Sequence, residues 1–470
     1  MNIIKSIFTI GLSSLINIVI SLITTPIITR IVDPAEYGQL LLFNTYTGIL
    51  AAFMYFGLNE SLLRFFYEYK ELNDKKSLLK LCFLIPFFAS IFISIIAILL
   101  YKYKLIAFKL DFNVFVLLWI GVILTVWSYL SMEMLQNVQN SKYYSIATIA
   151  QKAVYCICSI LFIFIFRKNK LIILVISTLL SLFASGSIGT YVTKKYWKFF
   201  DVSFPNNSIE IIRYSLPSYI YFVIFSIYDT VNNIFVERYC SDYDVGIYGS
   251  AFALISVVAI IQTAFSVIWR PIQTEHYTLN PDDTSFISKG NRYITILMFF
   301  VGINVIMFKD ILCFILGESY RACSVIIPFL VFNPVMNSMI NTVTSGIEKS
   351  KKSKYKTLII IVSSMLLFGL DYALIPLLGA KGAALSMAIS LIVQYYLTEY
   401  FSNKYYYVDY GTKKTIIMIV VMFTFAYVNT FYKINISIII LYIISLMVFV
   451  LLYYKDIKDM IDFIFSSIKK

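Results

Sequence analysis

Charged residues are scarce in this sequence. Asp, Glu, Lys and Arg make up 14% of the 470 residues, against roughly 25% in ordinary soluble domains. Apolar residues make up 60%, and the mean hydropathy is +0.80. A soluble globule of this length could not bury so much apolar surface. The composition excludes a soluble enzyme, a disordered chain and a disulfide-stapled secreted domain, and it predicts an integral membrane protein.

Metal-binding and redox-active side chains are also few. The chain has one histidine, His276, in a predicted polar loop, and six cysteines that lie mostly inside apolar runs. Cys156 and Cys158 form no CxxC motif and have no histidine nearby, so their spacing does not favour a metal or redox centre. We expect no metal site and no bound cofactor.

Basic residues outnumber acidic ones, 39 to 26, which gives a net charge of +13. In a soluble chain this excess would suggest nucleic acid. In a membrane chain it indicates attraction to anionic lipid headgroups and a signal for topology. Anionic membrane lipids are therefore expected partners, and nucleic acid is not.

Apolar stretches long enough to cross the membrane recur along the whole chain. A spanning helix needs about 20 such residues. Eleven stretches carry no charge, and three carry a single one: Lys152, Asp229 or Asp371. The sequence therefore predicts an all-α integral membrane protein with about fourteen transmembrane helices. With the N-terminus inside, 27 of the 39 basic residues fall on the inner side, which predicts cytoplasmic N- and C-termini.

Two similar turns suggest an internal repeat. Asp33–Gly38 follows the first helix and Asp242–Gly249 follows the seventh, and each is a short acidic turn that ends in Tyr-Gly. Some transporters build two lobes around a central cavity from such repeats of six helices. We therefore expect two six-helix lobes around a central cavity, followed by two C-terminal helices.

The predicted division of the chain has five parts. Residues 1–193 form an N-terminal lobe (helices 1–6), 194–213 a cytoplasmic linker, 214–402 a C-terminal lobe (helices 7–12), 403–454 helices 13 and 14, and 455–470 an amphipathic cytoplasmic tail. The tail carries isoleucine and methionine on one helical stripe. This pattern fits a helix in the membrane interface, and a solvated chain end is an open alternative.

Several motifs in order along the chain resemble the polysaccharide (O-antigen, Wzx-type) flippases of the multidrug/oligosaccharidyl-lipid/polysaccharide exporter superfamily. They are Thr25–Gly38 (TPIITRIVDPAEYG), Gly57–Phe65 (GLNESLLRF), Tyr214–Pro217 (YSLP), Asp229, Val245–Gly249 (VGIYG), Gly317–Tyr320 (GESY) and Gly379–Ala384 (GAKGAA). The resemblance extends from end to end and implies the exporter fold. It also implies transbilayer movement of an undecaprenyl-pyrophosphate-linked oligosaccharide in the bacterial cytoplasmic (inner) membrane, for O-antigen or capsule synthesis. A polysaccharide polymerase and a chain-length regulator are open as protein partners.

Arginines within the motifs are candidates for binding the substrate. A guanidinium offers two parallel donors to phosphate oxygens, and in the related lipid II flippases arginines at the positions of Arg30 and Arg64 line the cavity. For Arg64 the alternative is a helix-end ion pair with Glu60 or a headgroup contact. Asn59 and Glu60, in the same motif as Arg64, are further cavity candidates.

Basic side chains outside these two motifs are additional candidates for the cavity. They are Arg270, which precedes Pro271 at the predicted end of helix eight, and Lys152 in helix five.

Ionisable residues within spans are costly and therefore functional candidates. Asp229 lies 15 residues after Tyr214, with Asn232 and Asn233 on the same helical face. It is a candidate for a cavity contact or for H⁺ or Na⁺ coupling, and an interhelical pair is the alternative. Asp371 is a second coupling candidate, for which a structural pair is also open.

The sequence is compatible with three functions to different degrees. A flippase for lipid-linked glycans fits the net positive charge, whereas a cation-coupled multidrug exporter of the same superfamily would rely on membrane carboxylates. A membrane glycosyltransferase or polymerase is the remote alternative. Such enzymes need a sizeable catalytic portion with paired carboxylates or metal ligands, and the loops between the predicted spans are too short for one. We therefore expect no enzyme activity.

Overall fold

The computed structural model describes residues 3–105, 111–166, 168–280, 282–350, 352, 354–432 and 435–468. This part of the chain is 87% helical and contains no β-strand. The predicted all-α class is confirmed. The chain divides into two compact units, Met1–Ile234 and Phe235–Lys470.

The first unit contains eight helices and most of a ninth. They are α1 (Ile3–Ile31), α2 (Pro34–Met54), α3 (Leu58–Glu68), α4 (Leu72–Lys102), α5 (Phe112–Asn137), α6 (Ser141–Phe166), α7 (Lys170–Val192), α8 (Lys194–Trp197) and α9 (Ser208–Tyr239).

The second unit contains eleven α-helices and one 3-10 helix. They are α10 (Asp242–Ile255), α11 (Val258–Leu279), α12 (Ser285–Met307), α13 (Lys309–Phe314), the 3-10 helix Glu318–Val325, α14 (Ile327–Leu330), α15 (Phe332–Val343), α16 (Ser345–Lys349), α17 (Lys354–Leu378), α18 (Ala380–Asn403), α19 (Thr412–Phe431) and α20 (Ile436–Ile468).

Eleven described helices are long and apolar enough to cross a membrane, and three bent pairs bring the number to fourteen. The predicted count of fourteen spans is confirmed in this form. The bends measure 51° between α2 and α3, 54° between α10 and α11, and 58° after the 3-10 helix. The first two bends fall in the spans that begin with the two similar segments. Pro34–Gly38 opens α2 and Asp242–Gly249 lies within α10, so these segments are helical and not the turns that the sequence predicted.

Helix two differs from the sequence prediction. The apolar run Tyr37–Asn59 indicates one straight span, but the chain turns at Tyr55–Gly57 and continues as α3 to Glu68. Gly57 has φ +69°, which costs an L-residue with a Cβ about 1–2 kcal/mol. A Cβ at Gly57 would also lie 2.4 Å from the Ser215 carbonyl oxygen and 2.8 Å from the Tyr219 nitrogen of α9. The bend therefore depends on a residue without a side chain.

Replacing Gly57 by alanine is expected to lower the thermal unfolding midpoint of the detergent-solubilised protein. The left-handed backbone alone costs about 1–2 kcal/mol, and the collision with α9 backbone adds to that cost. Gly48→Ala is the matched control, because a Cβ at Gly48 meets nothing within 4 Å and alanine favours a helix. Equal midpoints for Gly57→Ala and the wild type would contradict this role of the bend.

Small polar residues pack the helices of the first unit closely. The Ser128 and Ser185 hydroxyls of α5 and α7 are 2.7 Å apart, and a Cβ added at Gly189 would lie 2.8 Å from the Ser131 carbonyl oxygen. Membrane helices use such small residues because apolar lipid supplies little hydrophobic drive for association. The α5–α7 contact is thus held by close approach and internal hydrogen bonds.

The second unit repeats this principle between α17 and α18. A Cβ at Gly382 would lie 2.5 Å from the Leu374 carbonyl oxygen. About two helical turns further along α18, the Ser390 hydroxyl donates to the Ser363 carbonyl at 2.9 Å. This close packing fixes the part of α17 that carries Asp371.

The C-terminal tail continues the last spanning helix. The helix α20 runs without a break to Ile468, so residues 455–468 of the predicted tail are its extension. Asp456 has a buried side chain, which accepts from Lys414 Nζ at 2.7 Å and Arg292 Nη1 at 3.3 Å. Arg292 Nη2 also lies 2.9 Å from Asp409. These ion pairs tie α20 to α12 and α19.

The boundary between the compact units lies further along the chain than the predicted linker. It falls between Ile234 and Phe235, within α9, whereas the polarity of residues 194–213 predicts the division there. Those residues form the short helix α8, a connection and the start of α9. The Ser61 hydroxyl donates to the Ile211 carbonyl at 2.8 Å, so the start of α9 packs within the first unit.

Candidate functional site

Arg64 projects from the middle of α3, with 57% of its side chain exposed. Its Nε donates to Glu68 Oε1 at 3.0 Å, one turn further along the helix. The sequence alternative named Glu60 as its ion-pair partner, and the structure pairs it with Glu68 instead, because the helix continues for a further turn beyond Arg64. The guanidinium carbon also lies 5.6 Å from the centre of the Tyr214 ring. This ion pair uses the Nε edge, and a phosphate group could bind in bidentate fashion through the two Nη atoms.

Arg30 lies in the last turn of α1 and has an exposed side chain. A cation is favoured there because the carboxyl end of a helix carries partial negative charge. Arg30 and Arg64 both belong to the first unit. The two predicted phosphate-binding arginines are therefore both exposed side chains of that unit.

A polar cluster surrounds the bend between α2 and α3. Its members are Tyr55, Asn59, Glu60, Tyr129 and Glu133. The Tyr55 and Tyr129 ring centroids are 4.8 Å apart, and Asn59 lies within hydrogen-bonding reach of Tyr129. Glu60 and Glu133 lie close enough for their carboxyl groups to interact. Two of the predicted candidates, Asn59 and Glu60, thus lie together beside the bend.

Two side chains of this polar cluster have unsatisfied hydrogen-bonding atoms. Within the described part of the chain, Asn59 Oδ1 and Glu133 Oε2 are buried and have no hydrogen-bond partner. Buried polar atoms are normally paired, and exceptions concentrate where function requires them. The polar cluster is therefore a second candidate binding region, in addition to the two exposed arginines.

Glu133 is the member of the polar cluster that the sequence reasoning missed. The apolar run before it ends at Met132, which placed Glu133 just outside a span. The helix α5 continues to Asn137, so the carboxylate lies inside a helix that crosses the membrane. The available signal was the i, i+4, i+8 spacing of Tyr129, Glu133 and Asn137, which puts three polar side chains on one face.

Asp229 lies on α9 and has an exposed side chain. The two asparagines that follow it point elsewhere. Asn232 is buried, with 2% exposure, and Asn233 Nδ2 donates to the Thr45 hydroxyl of α2 at 3.0 Å. The predicted common face is therefore divided, because Asn233 attaches α9 to α2 while Asp229 remains accessible.

Asp371 is fully buried within the second unit, with 0% exposure. It lies on α17 and interacts with Ser386 of α18, beside the close contact at Gly382. The structure thus places this coupling candidate inside the protein, and its role in coupling stays a prediction. A buried carboxylate beside a hydroxyl group is a suitable ligand for a proton or a small hard cation.

The two additional basic candidates, Lys152 and Arg270, both lie within helices. Lys152 is an exposed residue of α6. Arg270 lies within α11, which runs on to Leu279, so it does not mark the end of that helix as the sequence predicted. The side chain of Arg270 lies outside the described residues. His276 also belongs to α11, not to a loop, and its Nε2 is 3.0 Å from Asp283 Oδ2.

Three solved structures place this arrangement of helices among membrane transporters. A structure titled lipid II flippase MurJ, inward closed conformation, matches with a TM-score of 0.72 and 12% identity over 96% of this chain and 99% of that chain. Inward-facing and outward-facing conformations of a multidrug resistance MATE family transporter of the MOP superfamily match with TM-scores of 0.60 and 0.57. Their identities are 14% and 15%, over 86% of this chain and 98% and 96% of theirs. At such identities the likeness establishes the fold alone: that of the multi-pass MurJ and MATE transporters.

The sequence match identifies the family. The model described as polysaccharide biosynthesis protein matches residues 3–272, more than half of the chain. The chain therefore belongs to the polysaccharide biosynthesis protein family, and the resemblance found in its motifs is confirmed. No curated protein matches the sequence.

Proposed function

We propose that this protein is a flippase that moves undecaprenyl-pyrophosphate-linked oligosaccharide repeat units across the bacterial cytoplasmic membrane. The family match over residues 3–272 is the observation that carries the proposal. The fold likeness to a lipid II flippase supports it over the length of the chain. The translocated repeat units would be used to build a surface polysaccharide such as O-antigen or capsule.

The charge distribution fits an anionic lipid-linked substrate. The chain carries a net +13, and Arg30 and Arg64 are exposed in the first unit. Pyrophosphate would bind between planar guanidinium donors, which match phosphate oxygens better than an ammonium group does. In this proposal Glu68 keeps Arg64 oriented until phosphate replaces or joins it.

The bent spans supply positions at which helices could pivot during alternating access. Breaks at Gly57 and at Ser256–Val257 interrupt backbone hydrogen bonding within single spans. Pro217 lies inside α9 and removes one further helical hydrogen bond. Each unit thus contains local flexure points that transporters of this kind use.

Ion coupling would rest on the intramembrane carboxylates. Asp229 and Asp371 are the proposed sites for H⁺ or Na⁺, and no other cofactor enters the proposal. An exposed Asp229 could exchange an ion, whereas the buried Asp371 would bind one within the second unit. Binding an ion to either carboxylate would remove the cost of a bare charge in the membrane.

A cation-coupled multidrug exporter is the second candidate function. The observation that favours it is the fold likeness to the MATE transporter, with a TM-score of 0.60. Such a protein would capture cationic compounds on carboxylates, for which the polar cluster with Glu60 and Glu133 is the suitable region. The family match and the exposed arginines favour the flippase.

Loss of the gene in its native bacterium should abolish surface polysaccharide and cause lipid-linked oligosaccharide to accumulate. Both quantities can be measured, by glycan staining of whole cells and by mass spectrometry of extracted lipids. Expression of the wild-type chain should restore both. An exporter of drugs would instead leave the polysaccharide unchanged, and its loss would increase sensitivity to cationic compounds.

The proposed setting has both termini in the cytoplasm and the protein in the inner membrane. A polysaccharide polymerase and a chain-length regulator would act on the outer side, because they use the translocated repeat unit. Anionic lipids would contact the basic segments at the inner ends of the helices.

A further inference from the structure

Two cysteines face each other where the connection after α12 meets the start of the broken span that follows. Cys313 is in α13 and Cys323 is in the 3-10 helix Glu318–Val325. Their sulfur atoms are 2.8 Å apart, and the two residues are 1% and 0% exposed. Sulfur is larger than oxygen, so this separation is short for a contact between two thiols.

The surrounding structure holds the two thiols in place. We call residues Lys309–Val325 the outer hairpin, since the two short helices fold back on each other. Its turn contains a backbone hydrogen bond from Leu316 to the Cys313 carbonyl at 3.1 Å. The Tyr243 hydroxyl of α10 donates to the Ser319 carbonyl at 3.1 Å, and Tyr320 is fully buried. The approach of the thiols is therefore part of a packed unit.

The predicted topology puts residues 309–321 on the extracytoplasmic side of the membrane, and Cys323 lies at the outer end of the span that follows. Disulfides form and persist in the periplasm and at cell surfaces, whereas the cytosol keeps thiols reduced. The other four cysteines lie in spans or at their ends, with no partner cysteine beside them among the described residues. The outer hairpin therefore combines two neighbouring thiols with a predicted position on the oxidising side of the membrane.

We propose that Cys313 and Cys323 form a disulfide that closes the outer hairpin. In this step both S–H bonds break, one S–S bond forms, and two electrons and two protons pass to a disulfide of an extracytoplasmic thiol oxidase, which becomes a dithiol. The established family membership does not assign this modification, and the inference goes beyond the proposed function.

Oxidation is expected while the hairpin is still accessible. The hydrogen bond with Cys323 and burial raise the pKa of the Cys313 thiol, and thiol exchange requires the thiolate. The packed pair is also shielded from a bulky oxidase. The bond therefore forms as the segment emerges and is then protected from external reductants by burial.

Counting free thiols tests the proposal. Membranes are quenched in acid to stop exchange, denatured, and labelled with a maleimide polymer that adds a fixed mass to each thiol. The wild-type chain has six cysteines, so four additions are expected before reduction and six after it. Six additions before reduction would overturn the proposal.

Single substitutions show which cysteines are paired. Cys313→Ser should give five additions with or without reduction, because Cys323 is then left free. The matched control Cys156→Ser should give three before reduction and five after it. Two missing thiols that persist in Cys313→Ser would assign the disulfide to another pair and also overturn the proposal. The thiol count does not depend on transport, so surface polysaccharide measured in the same cells tests the flippase separately.

Discussion

Replacing Arg64 by alanine is expected to reduce surface polysaccharide strongly while membrane protein levels stay near those of the wild type. The side chain is largely exposed, so its removal leaves little buried charge unpaired. A charge-assisted hydrogen bond contributes about 1.5–3 kcal/mol, and its loss would lower the flipping rate by roughly tenfold to a hundredfold. Arg64→Lys should lose less, because the charge remains and only the planar fork is lost.

Glu68→Gln is the matched control for Arg64. It removes the ion pair and leaves the guanidinium in place, so a substrate role for Arg64 predicts that this variant still flips. Protein level is measured by immunoblot of membranes, and flipping by surface polysaccharide. If Glu68→Gln fails as completely as Arg64→Ala, or if neither arginine variant accumulates, Arg64 has a structural role.

Replacing Asp229 by asparagine is expected to give a folded protein whose transport no longer responds to the proton or sodium gradient. Asparagine keeps the size and a hydrogen-bonding carbonyl but removes the titratable charge. Because Asp229 is exposed, its replacement should not unfold the protein, and misfolding would not explain the lost response to the gradient. The measurement is the transport rate before and after an ionophore collapses the gradient.

Asp371→Asn identifies which carboxylate couples transport to the gradient. If the buried Asp371 holds the ion, this variant becomes insensitive to the gradient and Asp229→Asn keeps its response. The substrate affinity of both variants, measured on detergent-solubilised protein, should stay close to that of the wild type. Wild-type rates and unchanged gradient dependence in both variants would contradict coupling through either residue.

The number of spans could be predicted from the sequence because membrane thickness sets a minimum apolar length. The bends could not, because hydropathy is the same on both sides of a turn. Gly57 illustrates this limit: its left-handed backbone and its contact with the Ser215 carbonyl arise from packing against a helix about 160 positions away in the chain. A glycine in an apolar run does not by itself distinguish a bend from close packing.

Only part of the candidate site could be predicted from the sequence, because some of its residues are brought together by tertiary packing. Arg30, Arg64 and Asn59 were named because their motifs resemble a family, and their role in binding substrate stays a prediction; in the structure both arginines are exposed. Glu133 was missed because its helix extends beyond the apolar run, and only tertiary contacts bring it close to Glu60. The thiol pair Cys313–Cys323 was missed because nine residues separate the two cysteines and no motif marks such a pair.

Transbilayer movement of a lipid-linked oligosaccharide in proteoliposomes tests the central claim most directly. The purified chain is reconstituted with a polyprenyl-pyrophosphate-linked oligosaccharide, and a membrane-impermeant glycosidase reports how much of the sugar reaches the outer leaflet. A flippase should make nearly all of the sugar accessible, whereas Arg64→Ala should expose the sugar roughly tenfold to a hundredfold more slowly. If the wild-type chain leaves the inner-leaflet sugar protected while the same vesicles transport a cationic dye, the protein is an exporter of drugs and the account is wrong.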